Sequence, residues 1–143
     1  MRFRSSNGFA NIRRGGLGAF AVAVLVIACS ACSSNNTASG TVTTENFVGV
    51  LTTGGVTNET VNVAGSGELD VELANLTPQT TITVGLGIGQ TVNGQCALLT
   101  FADNARVGNV LPLEVTPGAY CIVVEDIGNV TGSDTFTLTV VHP

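Results

Sequence analysis

The run Asp134-Thr135-Phe136-Thr137-Leu138-Thr139-Val140 decides the fold class, because its apolar residues alternate strictly with threonine. Successive side chains of a strand point to opposite faces, so this run carries one apolar and one hydroxyl face, as a half-buried strand requires. The same period recurs in Leu69, Val71 and Leu73 against Glu68, Asp70 and Glu72, in Ile82, Val84 and Leu86, and in Tyr120, Ile122 and Val124. Less regular runs at 47–51, 60–63, 97–101 and 110–115 bring the expected total to about eight strands. Between them stand Gly54-Gly55, Gly65-Ser66-Gly67, Asn93-Gly94, Pro117-Gly118 and Gly128-Asn129, pairs that suit tight turns. No window after residue 28 repeats apolar residues at helical spacing, so no helix longer than a turn is expected. The pattern predicts an all-β, antiparallel, jelly-roll-like sandwich over residues 45–143.

Upstream the composition changes. Four of the five basic residues, Arg2, Arg4, Arg13 and Arg14, precede an apolar stretch from Leu17 to Ala28, and all ten acidic residues follow Cys29. An arginine-bearing start, about a dozen apolar residues and small residues at the end form a secretory signal over 1–28, too short to span a bilayer. The sequence Val26-Ile27-Ala28-Cys29 resembles the lipobox of bacterial lipoproteins, which implies that Cys29 is diacylated and becomes the mature N-terminus. Cys32 is a second candidate with a poorer upstream triplet, and Arg13-Arg14 leaves a twin-arginine route open. Residues 29–44 read as the lipidated cysteine followed by a flexible tether of Ser, Thr, Asn, Ala and Gly, its ends roughly 20 Å apart. Ser30 stands where an aspartate would signal inner-membrane retention, so the resemblance implies export to a lipid-anchored position in the cell envelope, at the outer membrane.

The stretch Val115-Thr116-Pro117-Gly118-Ala119-Tyr120-Cys121-Ile122-Val123-Val124, followed by Gly132-Ser133-Asp134-Thr135-Phe136-Thr137-Leu138-Thr139-Val140, resembles the final hairpin of the bacterial pre-peptidase C-terminal domain. There a Pro-Gly turn leads into a strand with an inward tyrosine, then a short loop and a closing threonine-rich strand. The resemblance extends back to about Glu45 through a hairpin around Gly65 to Gly67. It implies an antiparallel sandwich and says little about function.

With Cys29 lipidated and Cys32 in the tether, Cys96 and Cys121 are left to form a disulfide, as exported proteins allow. The mature chain carries one arginine against ten acids, a side-chain sum of −9 with no lysine. Such a surface repels phosphate backbones, so no nucleic-acid partner is expected. Catalysis lacks components: His142 is the sole imidazole and lies near the chain end, Schiff-base and Ser-Lys mechanisms need a lysine, and no histidine is placed to activate a serine. No cofactor and no metal are expected. Glu125, Asp126 and Asp134 flank one loop and are the best carboxylates for calcium, whereas Glu68, Asp70 and Glu72 alternate along one outer strand face and diverge. The run Gly85-Leu86-Gly87-Ile88-Gly89 reads as a strand end with a bulge or tight turn, not a dinucleotide loop, since no helix pattern follows.

The reading favours a non-enzymatic, lipid-anchored envelope module with a structural, adhesive or protein-interaction role, contacting an envelope protein or polysaccharide through its loops. The alternative is a carbohydrate- or calcium-dependent glycan-binding domain. The aromatic residues after the leader, Phe47, Phe101, Tyr120 and Phe136, all fall in predicted strands, which leaves no obvious sugar platform.

Overall fold

The computed structural model describes residues 41–143. The expected leader, Cys29, Cys32 and most of the tether lie outside the described residues. Eight strands follow in order: β1 (Thr43–Thr52), β2 (Val56–Val63), β3 (Gly67–Thr77), β4 (Val84–Val92), β5 (Gln95–Ala105), β6 (Val110–Val115), β7 (Gly118–Glu125) and β8 (Ser133–His142). They form two four-stranded sheets, β1-β8-β3-β6 and β2-β7-β4-β5, and every pairing is antiparallel. Eight strands in this order make a jelly roll. The first strand begins two residues before the expected domain start at Glu45, because Thr43 and Thr44 continue β1 opposite His142 and Val141.

Sequence alternation identifies strands but not their partners. The expected hairpins at β2–β3 and β7–β8 are crossovers between sheets: β8 pairs with β1 and β3, while β7 pairs with β2 and β4. In a sandwich each strand buries one face against the opposite sheet, and short connections that step across the core satisfy this as well as connections along one sheet. The β4–β5 connection is a true hairpin within one sheet. Its Asn93-Gly94 turn has φ of 52° and 77°, the left-handed pair that a two-residue type I′ turn requires.

Leu69, Val71 and Leu138 from one sheet and Ile88, Ile122 and Val124 from the other are fully buried in a single core. Each fully buried aliphatic side chain of this size contributes roughly 1.5–3 kcal/mol relative to exposure. In β3 the inward phase runs through Leu69, Val71 and Leu73 and then skips to Leu76. A register shift between Leu73 and Asn75 supplies the extra residue, so the bulge returns Leu76 to the core. Pro112 sits on β6, an edge strand, where a missing N–H costs no ladder bond on the open side.

The Pro117-Gly118 connection between the sheets is tied down by the buried Tyr120. Its hydroxyl donates to the Thr116 carbonyl at 3.0 Å and accepts from the Thr116 N–H at 3.1 Å. A tyrosine bonding back to backbone a few residues upstream is a known way to fix a sandwich corner. The inward tyrosine expected from the sequence is therefore in place, and its polar tip is satisfied.

Candidate functional site

On β4, Leu86 and Ile88 point into the core, which turns Gly85, Gly87 and Gly89 to the outer face of the sheet. On β7, Tyr120, Ile122 and Val124 point inward and Cys121 and Val123 outward, yet both outward residues are buried. Something covers them. Cys96 and Cys121 form a disulfide with a Cα–Cα distance of 5.7 Å. Cys121 pairs with Gly89 of β4, and Cys96 pairs with Thr91 of the same strand, so β4 lies between the two cysteine-bearing strands. In a flat sheet they would stand at least two strand spacings apart, about 9.5 Å. The distal part of the β4–β5 hairpin therefore leaves the sheet plane and folds over its outer face.

The glycine row makes this fold-back possible. A Cβ on Gly89 would lie 2.7 Å from the Ala97 carbonyl carbon and 2.9 Å from the Leu98 Cα, and one on Gly87 would lie 2.8 Å from a Leu98 methyl. A register shift between Ile88 and Gly89 places an extra residue on β5 at the bend. The glycine run is thus mid-strand, not the strand end read from the sequence. The bulge was legible, whereas the alternation of glycines on one face is what the fold-back uses.

Between the folded hairpin and β2 lies a groove of about 580 Å³. The disulfide and Val123 form its floor, Val56, Asn58 and Thr60 of β2 one wall, and Thr91, Gln95 and Leu98 of the hairpin the other. Its lining combines side-chain amides and hydroxyls with aliphatic groups. It contains no carboxylate, imidazole, amine or free thiol. The groove thus lies on a sheet face bounded by one hairpin, away from the loops through which binding was expected.

The three carboxylates singled out for calcium are not brought together. Among the described residues no group of three acidic, histidine or cysteine side chains is arranged to hold a metal. Asp126 is occupied by backbone: one oxygen accepts from the N–H groups of Gly128, Asn129 and Val130 at 2.8 to 2.9 Å, the other from Gly54 at 2.8 Å. Asp134 is buried at the start of β8 and accepts from the Gln79 N–H at 2.8 Å. Glu125 lies over Gly85 on the outer face. Glu68 faces solvent, and Asp70 and Glu72 are half-buried on the same outer face. His142 is not a loose end: it pairs with Thr43, is buried, and holds Nε2 3.6 Å from the Glu45 carboxylate.

The N–H groups of Gly54 and then of Val130, Asn129 and Gly128 hold the Asp126 carboxyl well below its ordinary 3.8, at about 2. A depressed carboxylate adds stability that is present above the unfolded pKa and lost as pH falls through the folded one. Wild-type stability should therefore drop more steeply between pH 4 and 2 than that of Asp126→Asn, whose amide keeps an acceptor but does not titrate. Parallel acid denaturation curves for the two proteins would contradict this assignment.

Solved structures share this sandwich. The Yersinia pseudotuberculosis-derived mitogen matches 71% of this chain and 86% of its own, with a TM-score of 0.54 and 14% identity. The pre-peptidase C-terminal domain of a collagenase from Bacillus anthracis matches 66% of this chain and 87% of its own, with a TM-score of 0.49 and 18% identity. At 14% identity the likeness to the mitogen is one of fold. No family model and no curated protein matches the chain. The disulfide is in keeping with an exported protein, since such bridges persist in oxidising compartments.

The groove and its walls escaped the sequence reading. Two signals pointed to them: glycines at alternate positions of a strand, which strip one face of side chains, and a cysteine early in the strand after the Asn93-Gly94 turn. Phe101, read as one more strand aromatic, is in fact 39% exposed on β5.

Proposed function

We propose that the chain is a lipid-anchored, non-enzymatic module of the cell envelope that contacts other envelope proteins through the groove on its β2-β7-β4-β5 sheet. The observation that carries this reading is the groove's lining, which offers hydrogen-bond donors, acceptors and aliphatic surface but no acid, base or nucleophile. Such a surface suits recognition of a partner and holds no titratable group to activate its threonine hydroxyls. The Val26-Ile27-Ala28-Cys29 sequence supplies the anchor in this reading, and the tether lets the domain reorient at the membrane.

Two measurements test it in the native organism. Labelled palmitate should enter the wild type and not Cys29→Ala; label retained in that variant would move the anchor to Cys32. A photo-crosslinking amino acid placed at Thr60, in the groove, should give discrete protein adducts that the same probe at Asn46, on β1 of the other sheet, does not. Adducts from Asn46 alone would contradict the groove, and release of a reducing sugar from envelope glycan by the pure protein would contradict the non-enzymatic reading.

A further inference from the structure

A carboxylate lies just beyond one end of the groove, outside its lining. Glu125 is the next outward residue on β7 after Val123, about 6.6 Å further along the strand, and it pairs with Val56 on one side and Gly85 on the other. Over Gly85 its side chain meets that of Phe101: a Cβ placed on Gly85 would lie 2.5 Å from Glu125 Cγ, 3.1 Å from its Oε1 and 2.7 Å from Phe101 Cζ. A carboxylate and a partly exposed aromatic ring thus converge on a position that has no side chain of its own. Among the described residues no arginine or histidine lies within salt-bridge distance of Glu125, so no internal cation neutralises it.

We infer that the groove takes an extended peptide segment bearing a basic side chain, whose cation sits at Glu125 and Phe101. This rests on the protein-interaction reading above and names its ligand class. A carboxylate and an aromatic face together attract an ammonium or guanidinium group by ion pairing and by the ring's quadrupole. The rest of the groove suits a peptide backbone, because Asn58 and Gln95 each offer a donor and an acceptor and the valine floor accepts an aliphatic side chain. From Cys121 to Glu125 the floor spans about 13 Å, or four residues of an extended peptide. The side-chain sum of −9 draws a cationic segment toward the whole domain. A neutral polysaccharide would leave the charged end without a partner.

Fluorescence anisotropy with the mature, detergent-solubilised protein tests this, using dye-labelled octapeptides of Ser, Thr and Val that differ at one central residue: Lys, norleucine or Glu. The lysine probe should bind at least about fivefold more tightly than the norleucine probe, and the glutamate probe most weakly. Glu125→Gln should remove the lysine advantage and leave norleucine binding unchanged, and Phe101→Leu should reduce that advantage. Glu68→Gln, the same charge change on the opposite sheet, should alter lysine affinity less than twofold. If Glu68→Gln and Glu125→Gln act equally, the preference is bulk charge and the subsite is overturned. Thr60→Trp, which fills the groove, should abolish binding of all three probes. If it does but Glu125→Gln changes nothing, the groove stands and the cation subsite fails; if it does not, the groove reading fails too. Displacement of the lysine probe by maltohexaose would overturn the peptide as occupant.

Discussion

The Cys96→Ser, Cys121→Ser double variant is expected to lose about 3.5 kcal/mol of stability, the chain-entropy value for a loop of this length. The sequence separation of 25 residues sets that value. Small domains are stable by only about 5–15 kcal/mol, so the loss is a large share of the total. For about a hundred residues it lowers Tm by roughly 15 to 25 °C. The structural consequence is as large as the energetic one. The bridge joins β5 to β7, strands that do not pair, and it holds the hairpin over Cys121 and Val123. Without it the groove loses one wall and two buried outer-face residues meet water. Thermal unfolding followed by circular dichroism checks the prediction, and a double variant melting within about 3 °C of wild type would show that the bridge adds little.

Gly89→Ala is expected to destabilise the domain by about 1–3 kcal/mol, the range for forcing extra atoms into a close-packed place. Ordinarily alanine is better than glycine inside a strand, by roughly 0.5–1 kcal/mol. Here the sign reverses, because the new methyl would meet the Ala97 backbone, which cannot swing aside as a side chain can. Gly85→Ala is the informative contrast: its obstacles are atoms of the Glu125 and Phe101 side chains and no backbone, so it should cost less. Gly89→Ala should also leave a larger fraction of Cys96 and Cys121 open to alkylation without reductant. Equal stability of the two variants, with full disulfide formation in both, would remove the glycine row from the explanation.

Eight strands were legible in the sequence, four from strict alternation, where one face is buried and every second residue is apolar, and four from shorter, less regular runs. The Asn93-Gly94 turn was equally plain, since few other dipeptides take two left-handed residues in succession. What alternation could not supply was pairing. The connection at Gly65 to Gly67 and the loop between β7 and β8 look like hairpins in sequence and turn out to step between sheets. The partners of single residues such as Asp126 were hidden for a related reason: a carboxylate in a loop looks free until the backbone N–H groups around it are located, and four of them fill it. His142 looked terminal by number, yet strand pairing with β1 buries it. The groove depends on tertiary geometry. Gly85, Gly87 and Gly89 announce a bare strand face, but only the 5.7 Å approach of Cys96 to Cys121 shows what covers it.

The fold-back of the β4–β5 hairpin underlies the groove, its proposed ligand and both stability predictions, and nuclear Overhauser contacts in the oxidised, leaderless mature chain measure it directly. Contacts should appear between the Leu98 methyls and the Gly87 Hα, and between Cys96 and Cys121 across the intervening β4. Contacts confined to the ladder partners of β4, with Cys96 and Cys121 separated by the two strand spacings of a flat sheet, would contradict the account.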